Sequence, residues 1–508
     1  MDEESVMREV KNIGDRKHPD YDIKLPLWNF LHASFRGGLG MQRKTGMSDI
    51  RSDSMKPTGY FAGLFKWERE DTADYNIRTA MTPYRPYARR IVKAFVNYVT
   101  KDDPDRQGVD AMGELIADVD LKGTPIKKFV RSVLARQRVL GTFNVLVDMP
   151  GKGDSEPVSR ADEIALNMRP YCVAIAPQQV VDWEIDPLTG KYEWVIIEQT
   201  FTVNKLDEEH AKTVTRRTFW DAFEFQTVEQ DGNEWKPIAY GTHPVGEVPL
   251  FRIEDSDVDD MPETPESWFF DLADMNRAIY NLESIDVVNF HYQCFGQLIL
   301  PTSQRENTAV SGASNAWTET PEESGISRYI QTNGIEHENI EGKIKSLRME
   351  MYRLAGLFHR TDSMEAETAE AKAWDRDEMN QFLAAFADTA EFIEREIFRI
   401  AGLWNGGGNE VTVEYDKMYE IADVEALVSA VLDVKSVGWT SETGRKELIK
   451  RMFHELLDGK INEKTMAVID KEIDSSEERD PLLDNAFSRE LPPDTDAVTV
   501  GSREPVTE

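Results

Sequence analysis

Residues 268–295, WFFDLADMNRAIYNLESIDVVNFHYQCF, read as one long helix, and the segments after it decide the fold. A Ser/Thr/Asn/Gly-rich stretch runs from Thr302 to Asn339. A second helix, IEGKIKSLRMEMYRLAGL, comes next over Ile340–Leu357. A short polar break at Phe358–Ser363 leads to a third, very long helix from about Glu365 to Trp404. No proline stands between Pro321 and Pro481, so nothing there forbids long helices. Met379, Phe382, Phe386, Ala390, Ile393, Ile397, Ile400 and Trp404 recur at steps of three or four, which buries one face. That stripe fits a core helix, but forty residues span roughly 60 Å, more than an ordinary domain needs, so the length predicts a strut within an assembly. Helix, polar excursion, helix and strut suit a subunit that lines a channel better than one that encloses an active site.

Outward from this stretch the texture changes. The first sixty residues are polar, with Gly37, Gly38, Gly40 and Gly46 close together, and are expected as loop around Leu25, Leu27, Trp28 and Phe30. From Asp74 a helical pattern carries Tyr84, Tyr87, Ile91, Ala94, Phe95 and Tyr98 on one face and ends at Lys101–Asp105. A helix near Pro125–Leu140 is stopped by Gly141 and followed by a strand, Phe143–Asp148. Residues 149–168 are expected as a surface loop with a short helical piece. Strands are predicted at Trp194–Val203, Thr213–Phe225, Trp235–Tyr240 and Gly246–Ile253, with turns at Asp186–Gly190 and Asp231–Asn233. The acidic linker Glu254–Glu263 leads to Thr264 as N-cap and Pro265 as first residue of the next helix. Beyond Trp404, glycines 406–408 end the long helix, Val411–Tyr415 forms a strand, and Asp423–Ile473 reads as three helices. From Ser475 the chain is acidic and poor in apolar pattern, the composition of a tail disordered when free.

Composition bounds the function. The 508 residues allow about two to four structural units, and a hydrophobic content of 40% describes a folded protein. No run of about 18 apolar residues exists to span a membrane, and Met1–Asp20 lacks the apolar block of a signal peptide. Cys172 and Cys294 make neither a disulfide framework nor a metal set, and synthesis inside the cell is the expectation. Lys and Arg total 59 against 93 Asp and Glu, a net charge of −34, which repels nucleic acid unless basic residues are concentrated locally. A sequence-specific DNA binder is disfavoured, whereas a protein past which DNA slides without sticking is favoured.

Chemical motifs are weak. Gly38–Thr45 approaches a phosphate-binding loop, but Arg43 stands where the second glycine must be. Asp255, Asp257, Asp259 and Glu266 have calcium-loop spacing, but Asp260 replaces the required glycine and Pro262 and Pro265 interrupt. The eight histidines are scattered, with only His359 in a notable place, the break before the long helix. No nucleophile elbow, Cys–His constellation, metal site or cluster of basic and aromatic residues stands out, so neither a catalytic site nor a cofactor is expected.

Several segments, in order, resemble the portal proteins of tailed bacteriophages. They are Tyr75-Asn76-Ile77-Arg78 with Tyr84, Tyr87 and Asn97; Asp118–Gly123 with Phe129-Val130 and Leu140–Asp148; and Arg169-Pro170-Tyr171 with Ile175, Pro177 and Val180–Trp183. Gly246–Leu250, Asp271–Asn276 with Tyr280 and Ser284, and Thr368–Lys372 complete the set, the last departing slightly from the family's Ser-Gly-x-Ala-Lys form. The resemblance spans roughly Tyr75–Trp404. It implies an α+β, mainly α portal fold: arm and α/β wing at 1–263, first stem helix at 264–297, small α/β clip at 298–339 and second stem helix at 340–357. A channel loop at 358–366, the long wing helix and strand at 367–422, a helical crown at 423–474 and the acidic tail at 475–508 complete it.

The resemblance implies a homo-oligomeric ring, usually of twelve subunits, at one capsid vertex of the virion, assembled in the host cytoplasm. Double-stranded DNA would pass through it non-specifically during packaging and ejection. Partners would be the major capsid protein, a terminase motor that supplies the ATPase work, and head–tail adaptor or neck proteins, with no membrane. Twelve copies carry a formal charge near −400, much of it screened by counterions. His359, Arg360, Thr361, Asp362 and Ser363 would form the DNA-channel loop. Trp317 and Tyr329 would mark the docking surface of the clip, although Trp317 packed in its own subunit or against a neighbouring clip is an equal reading. The rivals are another head–tail adaptor or minor capsid protein, which should lack the helix–clip–helix order, and a magnesium-dependent nuclease using Asp/Glu ligands.

Overall fold

The computed structural model describes residues 10–41, 63–66, 70–109, 112–150, 168–204, 212–254, 267–294, 297–301, 316–319, 328–330, 335–356, 369–407, 411–417, 446–447, 449–450 and 463–475. The chain divides into two units, Met1–Tyr419 and Glu420–Glu508. The first unit is α+β. It opens with α1 (Val10–Asp15), α2 (Tyr21–Arg36), α3 (Thr72–Met81), α4 (Tyr87–Val99), β1 (Asp105–Gln107) and α5 (Ile126–Leu140). Strands come next: β2 (Thr142–Asp148), β3 (Tyr171–Ile175), β4 (Val180–Ile185), β5 (Tyr192–Val203), β6 (Lys212–Trp220), β7 (Glu224–Asp231), β8 (Glu234–Thr242) and β9 (Leu250–Glu254). Then come α6 (Phe269–Cys294), the short strands β10 (Gln297–Pro301), β11 (Ala316–Glu319) and β12 (Arg328–Ile330), α7 (Ile335–Leu354), α8 (Ala369–Trp404) and β13 (Thr412–Glu414).

Three sheets lie in the α/β part. β4 to β8 form an antiparallel meander in sequence order, β2 sits between β3 and β9, and β1 pairs antiparallel with β13. The predicted strand Thr213–Phe225 is in fact two strands, because the chain reverses at Asp221–Phe223, where the Asp221 carboxylate accepts from the amides of Phe223 and Glu224 at 2.9 Å each. The predicted strand Gly246–Ile253 pairs only from Leu250.

The N-terminal arm is a correction. Residues 21–36 are helical rather than loop, because Tyr21, Trp28, Phe30, Leu31 and Ser34 are all buried. The glycines end this helix without dissolving it: Gly37 takes φ 84° and donates to Ala33 O. Arg217 ties α1 to the meander by donating to the carbonyls of Gly14 at 2.5 Å and Arg16 at 3.0 Å, satisfying groups a helix end leaves open. The helical run expected from Asp74 breaks between Met81 and Tyr87, where Pro83 and Pro86 remove amide donors. Tyr84 therefore sits in the break, and Tyr98 is exposed rather than on the buried face.

The long helix α8 is more buried than its single stripe predicted. From Gln381 to Trp404 only Gln381, Asp388 and Arg395, each seven residues apart, face solvent. A helix that buries nearly its whole circumference is, over this part, a core element of its own unit. Phe382 and Phe386 pack with Phe95 of α4 and with Trp268, the closest ring centroids being 5.1 Å apart. Glu394, fully buried, accepts two hydrogen bonds from Arg106 at 2.7 and 2.9 Å and one from the Tyr415 hydroxyl at 2.7 Å. This network fastens the helix to the β1–β13 pair and, with burial as the first cause, holds the Tyr415 hydroxyl far above its ordinary pKa. Trp404 closes the element by donating to Val147 O at 2.8 Å.

In the second unit the described residues are 446–447, 449–450 and the helix α9 (Glu463–Ser475), to which Lys450 is joined by an ion pair with Asp474 at 2.7 Å. Residues 446–447 and 449–450, within the middle helix expected in 423–473, are helical, and the rest of the first two expected helices, the calcium-like loop, Thr264, Pro265 and residues 42–45 of the phosphate-loop match lie outside the described residues. Gly38–Met41 is a helical turn.

Candidate functional site

The α6–α7 hairpin and the short sheet between its helices are the parts of the fold that the sequence marks for function. The inner half of α6 is embedded in the core, with Phe269, Leu272, Ala273, Asn276, Ile279 and Tyr280 all buried. Ahead of it the Ser267 hydroxyl oxygen accepts from the Phe269 amide at 3.1 Å, the hydrogen bond of an N-cap. Asn276 performs a task that no local residue can. The residue before α4 is Pro86, which offers no side-chain cap. Asn276 reaches across from α6: its Oδ1 accepts from the Ala88 amide at 3.0 Å, and its Nδ2 donates to Arg85 O at 2.9 Å. The proline break and α6 are thereby locked together.

A second fastening lies about two turns further out. The buried Arg78 guanidinium binds both Glu70 oxygens at 2.8 Å, the Ser284 hydroxyl at 2.8 Å and Phe65 O at 2.6 Å. Asn281 accepts from the Phe65 amide at 2.8 Å. Tyr84 and Tyr280 pack edge to face at 5.2 Å. Beyond Ser284 burial declines: Ile285 to Asn289 are half-buried and Phe290 is 59% exposed.

Helix α7 begins at Ile335, five residues before the expected Ile340, and ends at Leu354 rather than Leu357. Its early start is held by His337, whose Nδ1 lies 2.6 Å from Asp286 on α6. Ile340, Ile344, Leu347 and Met351 recur at helical spacing and are half-buried or buried, whereas Met349 and Leu354 are exposed. The hairpin thus rises from the core with decreasing self-coverage. Charge follows the same gradient. Burial first, and then the nearby Asp286, push the Glu283 carboxyl above its usual range against the pull of Arg85. The Asp286 hydrogen bond and charge hold the His337 imidazole above its ordinary value.

The segment expected as a small α/β clip contains strands. Its described residues form a three-stranded sheet with β10 in the centre, parallel to β11 and antiparallel to β12. Trp317 stands opposite Ile299, and Tyr329 opposite Leu298; these are successive residues of β10, so the register puts the two expected docking residues on opposite faces of the sheet. The expected channel-loop residues, His359, Arg360, Thr361, Asp362 and Ser363, lie outside the described residues.

Sequence reasoning missed Asn276, Arg78 and the Asp286–His337 pair. Pro83 and Pro86 were the available signal, since two prolines before an amphipathic helix leave its N-terminus in need of a borrowed cap. It also missed a concentration of basic residues, because α4 and α5 come together only in the fold. Neither helix contains an acidic residue. Among the described residues no group of His, Cys, Asp and Glu is arranged to hold a metal ion, and no helix is long and apolar enough to cross a membrane.

Residues 269–405 match the model of a domain of unknown function (DUF4055). The match opens on the first residue of α6 and closes one residue after α8, so it covers the hairpin, the small sheet and the long helix. No curated protein matches the chain. Among solved structures, a chain from the virion of a native gene transfer agent particle is similar at 13% identity and a TM-score of 0.37, covering 75% of this chain and 94% of that one. A chain from the neck of the native particle, computed with C12 symmetry, is similar at 12% identity and the same TM-score, with coverage of 72% and 89%.

Proposed function

We propose that this chain is a portal subunit, one copy of a ring at a capsid vertex through which double-stranded DNA enters during packaging and leaves at infection. The observation that carries the reading is the order α6, small sheet, α7, α8: a hairpin anchored in an α/β core, a sheet between its helices, and a return into the same core by one long helix. That order agrees with the portal resemblance of residues 75–404. A hairpin that leaves Phe290 exposed in its outer half, and Met349 and Leu354 exposed where α7 returns to the core, is completed by neighbouring copies.

The action is mechanical and electrostatic. An acidic, water-lined bore repels phosphate and gives DNA few lasting contacts. The 358–366 loop touches the backbone transiently through Arg360, each contact weak and screened by salt. The subunit performs no catalytic step; a separate terminase hydrolyses ATP, and the clip docks that motor and later the neck. Major capsid protein surrounds the ring at the vertex.

Light scattering and negative-stain imaging of the purified protein test the reading. The expected particle is a ring near twelve subunits, roughly 0.7 MDa from 58.0 kDa each. A stable monomer at micromolar concentration that never converts to rings overturns it. Metal-dependent cleavage of DNA by the purified protein overturns it in favour of a nuclease.

A further inference from the structure

Helices α4 and α5 hold three and five basic residues and no acidic ones, a local charge of +8 in a chain of −34. They pack side by side in opposite directions. At one end Lys127 donates to Lys101 O at 3.0 Å, and Arg131 to Thr100 O at 2.9 Å. At the other, Arg89 donates to Arg36 O at 3.3 Å, bringing in the end of α2. His32 of α2 is held below its usual pKa first by burial and then by the positive charges of Arg36 and Arg136.

Part of this charge is already used. Lys127 pairs with Asp103 at 3.0 Å, Arg131 is spent on Thr100, and Arg138 is buried. Arg36, Arg89, Arg90, Lys93, Lys128 and Arg136 pair with no carboxylate among the described residues, although the chain has 93 acidic residues to offer. All six are exposed except Arg89, which is half-buried. Like charges four residues apart on a helix, as Arg89 and Lys93 are, oppose folding by a few tenths of a kcal/mol in isolation. The fold keeps that repulsion on one face.

Along α4, Arg89 and Lys93 are about 6 Å apart, and along α5, Lys128 and Arg136 are about 12 Å apart; two such rows on helices about 8–10 Å apart suit a polyanion. Four of the six are arginines, whose planar fork matches phosphate oxygens. The exposed positions of α5 are Lys128, Ser132 and Arg136, plus the flanking Pro125 at its start. The exposed positions of α4 are Arg90, Lys93, Asn97 and Tyr98, so across the two helices cationic and polar side chains outnumber the one exposed aromatic ring. We propose that the α4–α5 face, with Arg36, is a sequence-independent contact surface for the phosphate backbone of double-stranded DNA, separate from the 358–366 loop. The proposal rests on the portal reading only for the source of the DNA; the surface itself follows from the charge arrangement.

The test is anisotropy of a fluorescent 40-base-pair duplex titrated with the intact protein between 50 and 200 mM KCl, with particle mass measured on the same samples. Six phosphate contacts give a slope of log K against log salt near −5. The variant Arg90→Gln/Lys93→Gln/Lys128→Gln/Arg136→Gln is expected to lower the slope magnitude by about 3 to 4 and affinity at 100 mM salt by at least about tenfold. The pair Lys93→Gln/Lys128→Gln should lower the slope by roughly half as much, so an assembly defect in the fourfold variant does not obscure the outcome. Unchanged affinity and slope in both variants overturn the proposal. So does loss of particle assembly with unchanged DNA affinity per subunit, which would make the face an intersubunit contact. Rings that do not bind duplex refute this surface and leave the portal reading standing; duplex binding without rings does the reverse.

Discussion

Replacing Asn276 with alanine tests whether the first stem helix is anchored through the proline break. The side chain is 1% exposed and makes two hydrogen bonds, at 3.0 Å to the Ala88 amide and 2.9 Å to Arg85 O. Each is worth about 1 kcal/mol net, and a buried donor left without a partner costs about 1–3 kcal/mol more. Ala88 is fully buried, so its amide bears that penalty, whereas the Arg85 carbonyl lies next to an exposed side chain and regains water. With the Arg85 carbonyl rehydrated, the lost Ala88 bond and its penalty set the cost, about 2–4 kcal/mol. Hydrogen exchange at the Ala88 amide, followed at fixed protein concentration so that assembly does not shift the reference, reads this as local opening. Exchange should quicken by about 30- to 800-fold. Asn276→Asp keeps the acceptor and adds a negative charge at the start of α4, where it is favoured by about 0.3–1 kcal/mol, but loses the donor. It should fall between parent and alanine variant. Acceleration of less than about threefold in the alanine variant would refute the anchor.

The other predictions concern the core, the stem and the expected docking and channel residues. Arg106→Met or Glu394→Gln should each cost about 3–5 kcal/mol in urea unfolding and the combination less than their sum, since each single change leaves a buried partner unmatched; additive costs would deny the coupling. The His337–Asp286 contact holds the folded imidazole above its usual value, so its stabilisation is complete below about pH 6.5 and fades as pH rises through the raised value. Hydrogen exchange in 285–294 and 335–345 should therefore rise with pH in the parent and less in His337→Gln; identical profiles would remove the pair from stem closure. Trp317→Ala should leave rings intact and weaken binding of motor or neck, whereas loss of rings would place Trp317 in a contact within or between clips. The double change His359→Ala/Arg360→Ala should leave rings and prohead incorporation normal and reduce packaged DNA, and unchanged packaged length and yield would exclude the loop from the mechanism.

What the sequence disclosed was governed by local chemistry. The step from α5 through Gly141 into β2, the hairpin turns at Asp186–Gly190 and Asp231–Asn233, and the positions of the three long helices were readable because periodicity and turn residues act over a few positions. The N-terminal arm was misread because clustered glycines dominate its composition, while the apolar stripe from Tyr21 to Leu31 that makes it helical is short and contains Pro26. The burial of α8 was only partly legible, since a single stripe does not reveal that other elements cover the remaining faces. The caps by Ser267 and Asn276, and the basic face, were hidden for another reason. Asn276 serves a helix 188 residues away, and the cations of α4 and α5 become neighbours only once those helices pack.

Placing α8 and β13 at the heart of the first unit has a consequence for biosynthesis. The pairing of Asp105 with Glu414, and the ion pair of Arg106 with Glu394 across 288 residues, join the ends of the unit. Until α8 emerges, Phe95, Trp268, Phe251 and the inner faces of α5 and β2 lack their covering partner. At about 5–20 residues per second, the interval between translating residue 106 and residue 394 is roughly 15–60 s. For that time the nascent chain displays apolar surface that no local contact can hide, and its closing contacts are of the non-local kind that form slowly. The vulnerable species is therefore the incomplete chain: truncation before residue 415 should produce aggregates rather than a smaller folded body, and chaperone dependence should end with the arrival of the last helix.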